Sequence, residues 1–104
     1  MFELTLAEIA QITGGTVSGD LNLKVTAIAT DSREVGSGSL FAAIVGERVD
    51  GHDFVNQALA SGAAASLVSR PVSEPYVLVP NHDSAVDPVV LALGKISAEY
   101  RSRF

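Results

Sequence analysis

The chain has 104 residues, 47% hydrophobic and 18% charged, a balance that suits one folded domain and excludes a disordered chain. A net charge of −5 argues against a nucleic-acid or anionic-membrane surface, where neutralising phosphate needs clustered Lys and Arg; no apolar run reaches the roughly 18 residues of a membrane span. The absence of cysteine excludes disulfides and thiolate chemistry, and Met1-Phe2-Glu3 lacks the basic opening of a secretory signal, so a cytoplasmic setting is expected.

The first predicted element is a helix. Thr5 and Glu8 have the spacing of a capping box, and Leu4 and Ile9 that of a hydrophobic staple. Leu6, Ile9, Ala10 and Thr13 then share one face, and Gly14-Gly15 ends the helix. Strands are expected at Thr16 to Ser18 and, after the Gly19-Asp20 turn, along the Val-, Ile- and Thr-rich run from Leu23 to Ala29. Gly36-Ser37-Gly38 makes a turn. Leu40 to Val45 is a continuous apolar run, as expected of a strand buried on both faces.

A second helix is expected to begin near Gly51 to Asp53, with Phe54, Val55, Ala58 and Leu59 on one face and Gly62 as its stop. Ala65 to Ser69 and Tyr76 to Val79 read as strands, joined by a loop that holds Pro71 and Pro75. Val89, Leu93, Ile96 and Tyr100 then repeat at helical spacing. That helix starts either with Asp87 as cap and Pro88 in its first position, or earlier at Ser84, which would put Pro88 where it removes a helical hydrogen bond. Lys95, Arg101 and Arg103 suit the negative end of its macrodipole. The order predicts an α/β fold: a single small domain with a roughly five-stranded mixed sheet and helices packed on it.

Two polar clusters flank the apolar run of residues 40–45. In Thr30-Asp31-Ser32-Arg33, a hydroxyl and a guanidinium at a strand end suit a pyrophosphate or the edge of a base. The same residues also suit a plain turn, with Arg33 paired to an acid such as Asp53. In Asp50-Gly51-His52-Asp53-Phe54, either backbone N–H groups face a ligand, or Asp50 or Asp53 simply caps a helix and Phe54 joins the core. A carboxylate cap would repel phosphate, so such a site would touch a nucleoside more than its phosphates.

Other chemistries find little support. His52 and His82 are the only histidines and no cluster has metal-ligand spacing, so no metal is expected. A triad of Ser32, His52 and Asp31 can be written on paper, but no G-x-S-x-G elbow accompanies it. There is no phosphate-binding G-x-x-x-x-G-K-[ST] loop either; Gly94-Lys95-Ile96-Ser97 falls inside a helix pattern.

Taken together, Thr30-Asp31-Ser32-Arg33, the run Gly38 to Arg48, Asp50-Gly51-His52-Asp53-Phe54, Ala58 and Gly62-Ala63-Ala64 resemble the N-terminal domain of Mur ligases, the ATP-dependent amide-forming enzymes of peptidoglycan precursor synthesis. The match in spacing covers more than half the chain. The opening Leu4 to Ala10 followed by Gly14-Gly15, and Gly46-Glu47-Arg48 running into Asp50, are most similar to the branch that adds D-alanyl-D-alanine to UDP-N-acetylmuramoyl-tripeptide. The sister branch, which adds the third peptide residue, shares the Asp-Ser-Arg and Asp-Gly-His elements.

The resemblance implies that residues 1–104 are a UDP-substrate-binding domain, without catalytic residues or a cofactor of its own. ATP, Mg2+ and the incoming D-alanyl-D-alanine would belong to further domains absent from this chain. It also implies a site for the UDP moiety at Thr30, Asp31, Ser32, Arg33, Gly46, Glu47, Arg48, Asp50, Gly51 and His52. Ser32 is the first candidate for direct contact, and Arg33 and Asp50 for bracing the loops. Ser39 stands where the family commonly has Asp, and Val49 where an aromatic is common. Two other functions compete: a free-standing UDP-sugar-binding module, which would need a hexapeptide-repeat continuation that this sequence lacks, and an interaction domain whose loops are plain turns.

Overall fold

Glu8 N–H donates to Thr5 Oγ1 at 3.1 Å, and Thr5 N–H donates to Glu8 Oε1 at 3.0 Å, so the expected capping box closes. It opens α1 (Leu6–Thr13) in the computed structural model, which describes residues 3–81 and 86–103. Gly14 ends α1 with φ +74°, a left-handed value that glycine takes without strain. Leu4 and Ile9, the staple pair, are both buried in one cluster.

Among the described residues the strands are seven: β1 (Leu4–Thr5), β2 (Thr16–Ser18), β3 (Lys24–Val25), β4 (Ala27–Ala29), β5 (Ser39–Ala42), β6 (Ala65–Val68) and β7 (Tyr76–Leu78). β1 and β3 form a small antiparallel pair. The other five make the mixed sheet, in the order β2-β7-β6-β5-β4, with β2 antiparallel and the rest parallel. The expected single strand from Leu23 to Ala29 is therefore two. Val25 pairs with Leu4, then Thr26 N–H turns to Gly38 O at 2.9 Å and the chain enters the larger sheet.

The two sheet faces bury different helices. Leu40, Ala42, Leu67 and Val77 pack with α1 and with Val89, Ala92 and Ile96 of α3 (Pro88–Arg103). Phe41, Ala43 and Val68 pack with Val55 and Ala58 of α2 (Val55–Ala60). Each fully buried Val, Leu or Ile contributes about 1.5–3 kcal/mol relative to an exposed one. α3 starts at Pro88, as the first of the two expected starts required, and Val89 N–H donates to the Asp87 carboxylate at 2.7 Å. The alternative start at Ser84 lies outside the described residues.

β5 stops at Ala42, three residues short of the expected end, because Val45 leaves the sheet to pair with Asp50. The second helix is preceded by a 3-10 turn over Gly51–Phe54. One buried group is unpaired: Ser66 Oγ, fully buried, has no hydrogen-bond partner among the described residues. Replacing Ser66 by alanine removes that unmet hydroxyl and keeps the strand. We expect Ser66→Ala to be neutral or stabilising by up to about 1–2 kcal/mol. A urea denaturation midpoint that falls would show that the hydroxyl has a partner after all.

Candidate functional site

Parallel strands end where loops can gather round a ligand, and here β4 and β5 do so side by side. Beyond their C-terminal ends lies an open cleft of about 680 Å³, within the size range of small-molecule sites. Its apolar lining is Phe41, Ile44, Val49 and Phe54; its polar lining is Thr30 to Arg33 and Gln57, with Gly46 and Gly51 supplying bare backbone.

Residues 30–34 form a short turn after β4. The Asp31 carboxylate caps it, accepting from Arg33 N–H at 2.9 Å. It also takes the Nε and Nη2 edge of the Arg33 guanidinium, at 3.1 and 2.8 Å. The Arg33 side chain's hydrogen bonds, with its backbone N–H, hold the Asp31 carboxyl at about 2 against an ordinary 3.8. The same contact keeps Arg33 firmly protonated. Arg33 thus pairs with Asp31 and not with Asp53, whose carboxylate lies 3.9 Å from Arg70. The pair is exposed, so it orders the rim of the cleft more than it stabilises the fold.

Residues 44–51 form a hairpin that makes the opposite wall. Gly51 N–H donates to Ile44 O at 2.9 Å and Gly46 N–H to Val49 O at 2.8 Å, leaving Glu47 and Arg48 at an exposed tip. Glycine is required at Gly51: an added Cβ would lie 2.7 Å from Ile44 N and 2.9 Å from Ala43 Cα, both backbone.

His52 turns inward from this hairpin, with its side chain only 1% exposed. Ser69 N–H, which can only donate, points at His52 Nε2 at 3.0 Å. The ring proton therefore sits on Nδ1 and donates to Asp50 Oδ1 at 2.7 Å. Asp50 also accepts from His52 N–H at 2.9 Å and from Arg70 Nη1 at 2.6 Å. Partial burial pushes the Asp50 carboxyl up, but these three donors outweigh it and hold the carboxyl at about 2. With both ring nitrogens occupied, His52 is a brace for the hairpin, and the paper triad with Ser32 and Asp31 does not assemble.

The structure thus brings Thr30, Asp31, Ser32, Arg33, Gly46 and Gly51 to one cleft. Glu47 and Arg48 sit at the hairpin tip, and Asp50 and His52 lie behind the wall, outside the lining. Sequence reasoning missed Phe41, Ile44, Phe54 and Gln57 as lining, and Val49, within the stretch expected to close over the site, does line it. Phe54 was expected on the buried face of the second helix, yet it is 37% exposed and faces the cleft. The signal that would have found it is the Asp50 cap: it turns the chain through a 3-10 segment before α2, shifting Phe54 off the helix face.

A family model described as the Mur ligase family, catalytic domain, matches residues 24–101. The chain belongs to the Mur ligase family. Among curated relatives, the UDP-N-acetylmuramoyl-tripeptide–D-alanyl-D-alanine ligase of Mycobacterium bovis is 45% identical over 86 residues, covering 77% of this chain and 17% of the relative. The ligase of the same name from Escherichia coli is 37% identical over 105 aligned positions, covering 99% of this chain and 22% of the relative. A UDP-N-acetylmuramoyl-L-alanyl-D-glutamate–2,6-diaminopimelate ligase from a Synechococcus species is 42% identical over 88 residues, covering 83% of this chain and 18% of the relative.

Solved structures agree on the Mur ligase fold. MurF from Acinetobacter baumannii superposes with a TM-score of 0.80 at 31% identity, over 99% of this chain and 22% of that one. MurF ligase from Thermotoga maritima, solved in complex with ADP, gives 0.64 at 34% identity, over 75% and 17%. The chain spans only 17% to 22% of the length of these proteins.

Proposed function

We propose that this chain is the N-terminal, substrate-anchoring domain of a ligase that joins D-alanyl-D-alanine to UDP-N-acetylmuramoyl-tripeptide in the cytoplasm. The observation that carries this reading is the cleft itself. An apolar wall of Phe54, Val49 and Ile44 suits the face of a uracil, and the Thr30 to Arg33 turn across from it supplies donors for the sugar and phosphates. The names of the Mycobacterium and Escherichia relatives and the MurF superposition support it.

Holding the nucleotide far from the reacting carboxylate still serves catalysis, because remote binding energy positions the reactive end. The residues described here do not fit ATP. The Gly94-Lys95-Ile96-Ser97 run lies in the middle of α3, where backbone N–H groups are spent on the helix, and no cluster suited to a metal ion occurs among the described residues. We assign ATP, Mg2+ and D-alanyl-D-alanine to other domains of the ligase, and no reaction step to this chain, a reading supported by the small share of its relatives' length that the chain spans. A second reading, the same domain of the sister ligase for the third peptide residue, is supported by the Synechococcus relative.

The test is a titration of this chain with UDP and UDP-N-acetylmuramic acid, followed through backbone amide shifts, with ATP as control. Shifts should centre on residues 30–33, 44–51 and 54, and ATP should cause none. Phe54→Ala should weaken UDP about tenfold, since stacking a base on an aromatic ring contributes about 1–3 kcal/mol, and, with Phe54 37% exposed, should lower Tm by less than truncating a core residue would. The reading fails if UDP moves no amide and the intact ligase carrying Phe54→Ala keeps its KM for the UDP substrate.

A further inference from the structure

The cleft's hairpin is held from outside by a residue that does not touch the cleft. Within residues 44–51 the hydrogen bonds join 44 with 51 and 46 with 49, so Val45 and Asp50 form the pair between them and their backbone polar groups face outward. The outward N–H of Val45 donates to Asp87 Oδ2 at 2.9 Å. The other carboxylate oxygen, Asp87 Oδ1, accepts from Val89 N–H at 2.7 Å and caps α3; the Asp87 carbonyl accepts from Leu91 N–H at 3.0 Å.

We propose that Asp87 is a positioning residue for the UDP site: its carboxylate spans the end of the sheet and ties the Val45 to Gly51 wall of the cleft to α3. The inference rests on the function proposed above. α3 is a rigid mount, because Val89, Ala92 and Ile96 are buried on the sheet face opposite α2. The residues on either side of Val45, Ile44 and Gly46, both line the cleft. Asp50, on the other strand, is already tied to Arg70 and through His52 to Ser69, so the Asp87 bond is the tie on the Val45 strand, and it sets the tilt of that wall relative to Phe41 and the turn after β4. A hairpin held from the Asp50 side alone would keep its internal bonds yet sample other tilts, and a ligand would have to select the competent one.

Carboxylate chemistry makes this separable from capping. Serine is a good N-cap but offers one oxygen on a shorter arm, so Asp87→Ser keeps the bond to Val89 and loses the bond to Val45. Asp87→Ala loses both. Three readouts on this chain test the proposal: Tm, the amide proton shift of Val45, and the Kd for UDP. Asp87→Ser should hold Tm while the Val45 amide moves upfield and Kd rises about fivefold. Asp87→Ala should lower Tm yet raise Kd by the same factor, because binding follows the Val45 bond and not the helix cap. Unchanged Kd or an unmoved Val45 amide in Asp87→Ser overturns the proposal where the parent chain binds UDP. If the parent chain does not bind UDP, Asp87→Ser is read in the intact ligase: a KM for the UDP substrate raised about fivefold supports the proposal and an unchanged KM overturns it, while the proposed function itself fails only if Phe54→Ala also leaves that KM unchanged.

Discussion

Replacing Gly51 with alanine should destabilise the fold by about 1–3 kcal/mol and displace one wall of the cleft together with it. The new methyl would meet Ile44 N at 2.7 Å, Ala43 Cα at 2.9 Å and Ile44 O at 3.0 Å. All three are backbone atoms where the chain leaves β5, so no side chain can rotate away to make room. Either the hairpin lifts and the Gly51 N–H to Ile44 O bond lengthens, or the end of β5 shifts against β6, where Ala43 N–H donates to Leu67 O at 2.9 Å. For a domain of this size each kcal/mol lowers Tm by roughly 4–8 °C. The same variant should lose UDP affinity by more than its stability loss explains, since Gly46, Val49 and Gly51 all line the cleft. A Tm within one degree of the parent, with unmoved amides at Val45 and Gly46, would mean that the backbone accommodates the methyl and that the close approach is unimportant.

How much of this was legible in the sequence depends on whether a signal is local. The Thr5–Glu8 box and the Gly14 stop use partners within four residues and stand as read, and the Asp87–Pro88 start, equally local, is one of the two starts the sequence left open. The strand from Leu40 was legible because a strand covered on both faces needs an unbroken apolar run. β1 was not, nor was the break that divides the expected Leu23 to Ala29 strand into β3 and β4, because two-residue strands carry no period; only the pairing of Leu4 with Val25 across the chain creates them. Arg33 found its acid two residues away at Asp31, a shorter reach than the expected Asp53, because the turn that Asp31 caps already brings the two side chains alongside.

The least legible feature is an exchange of places. His52 reads as a polar residue of a ligand loop and Phe54 as a core residue, yet His52 is buried and Phe54 lies at the cleft. Burying an imidazole is tolerated only if both nitrogens are satisfied, and the partner that satisfies Nε2 is Ser69, seventeen residues later at the end of another strand. Nothing near His52 announces that partner.

The consequence is a large effect away from the ligand. His52→Ala should destabilise the fold by about 2–4 kcal/mol, combining a cavity behind the hairpin with one group left without its partner, Ser69 N–H, while Asp50 Oδ1 keeps only the backbone N–H of residue 52. His52→Asn should recover part of that loss, because its amide can donate to Asp50 in place of Nδ1 but cannot also accept from Ser69. Urea denaturation of the three chains gives the ranking; equal losses in the alanine and asparagine variants would assign the whole effect to lost packing. Acid should reveal the same network. Asp50 is held at about 2 in the fold against an ordinary 3.8, so its contribution is complete above about pH 4 and is lost as pH falls through about 2. Asp50→Asn lacks that charge at every pH. Its Tm should therefore lie well below the parent's at pH 7, and the gap should close toward pH 2, where the parent's own Asp50 becomes protonated. Parallel curves across that range would mean that the carboxylate charge contributes nothing, and that the His52 brace rests on shape alone.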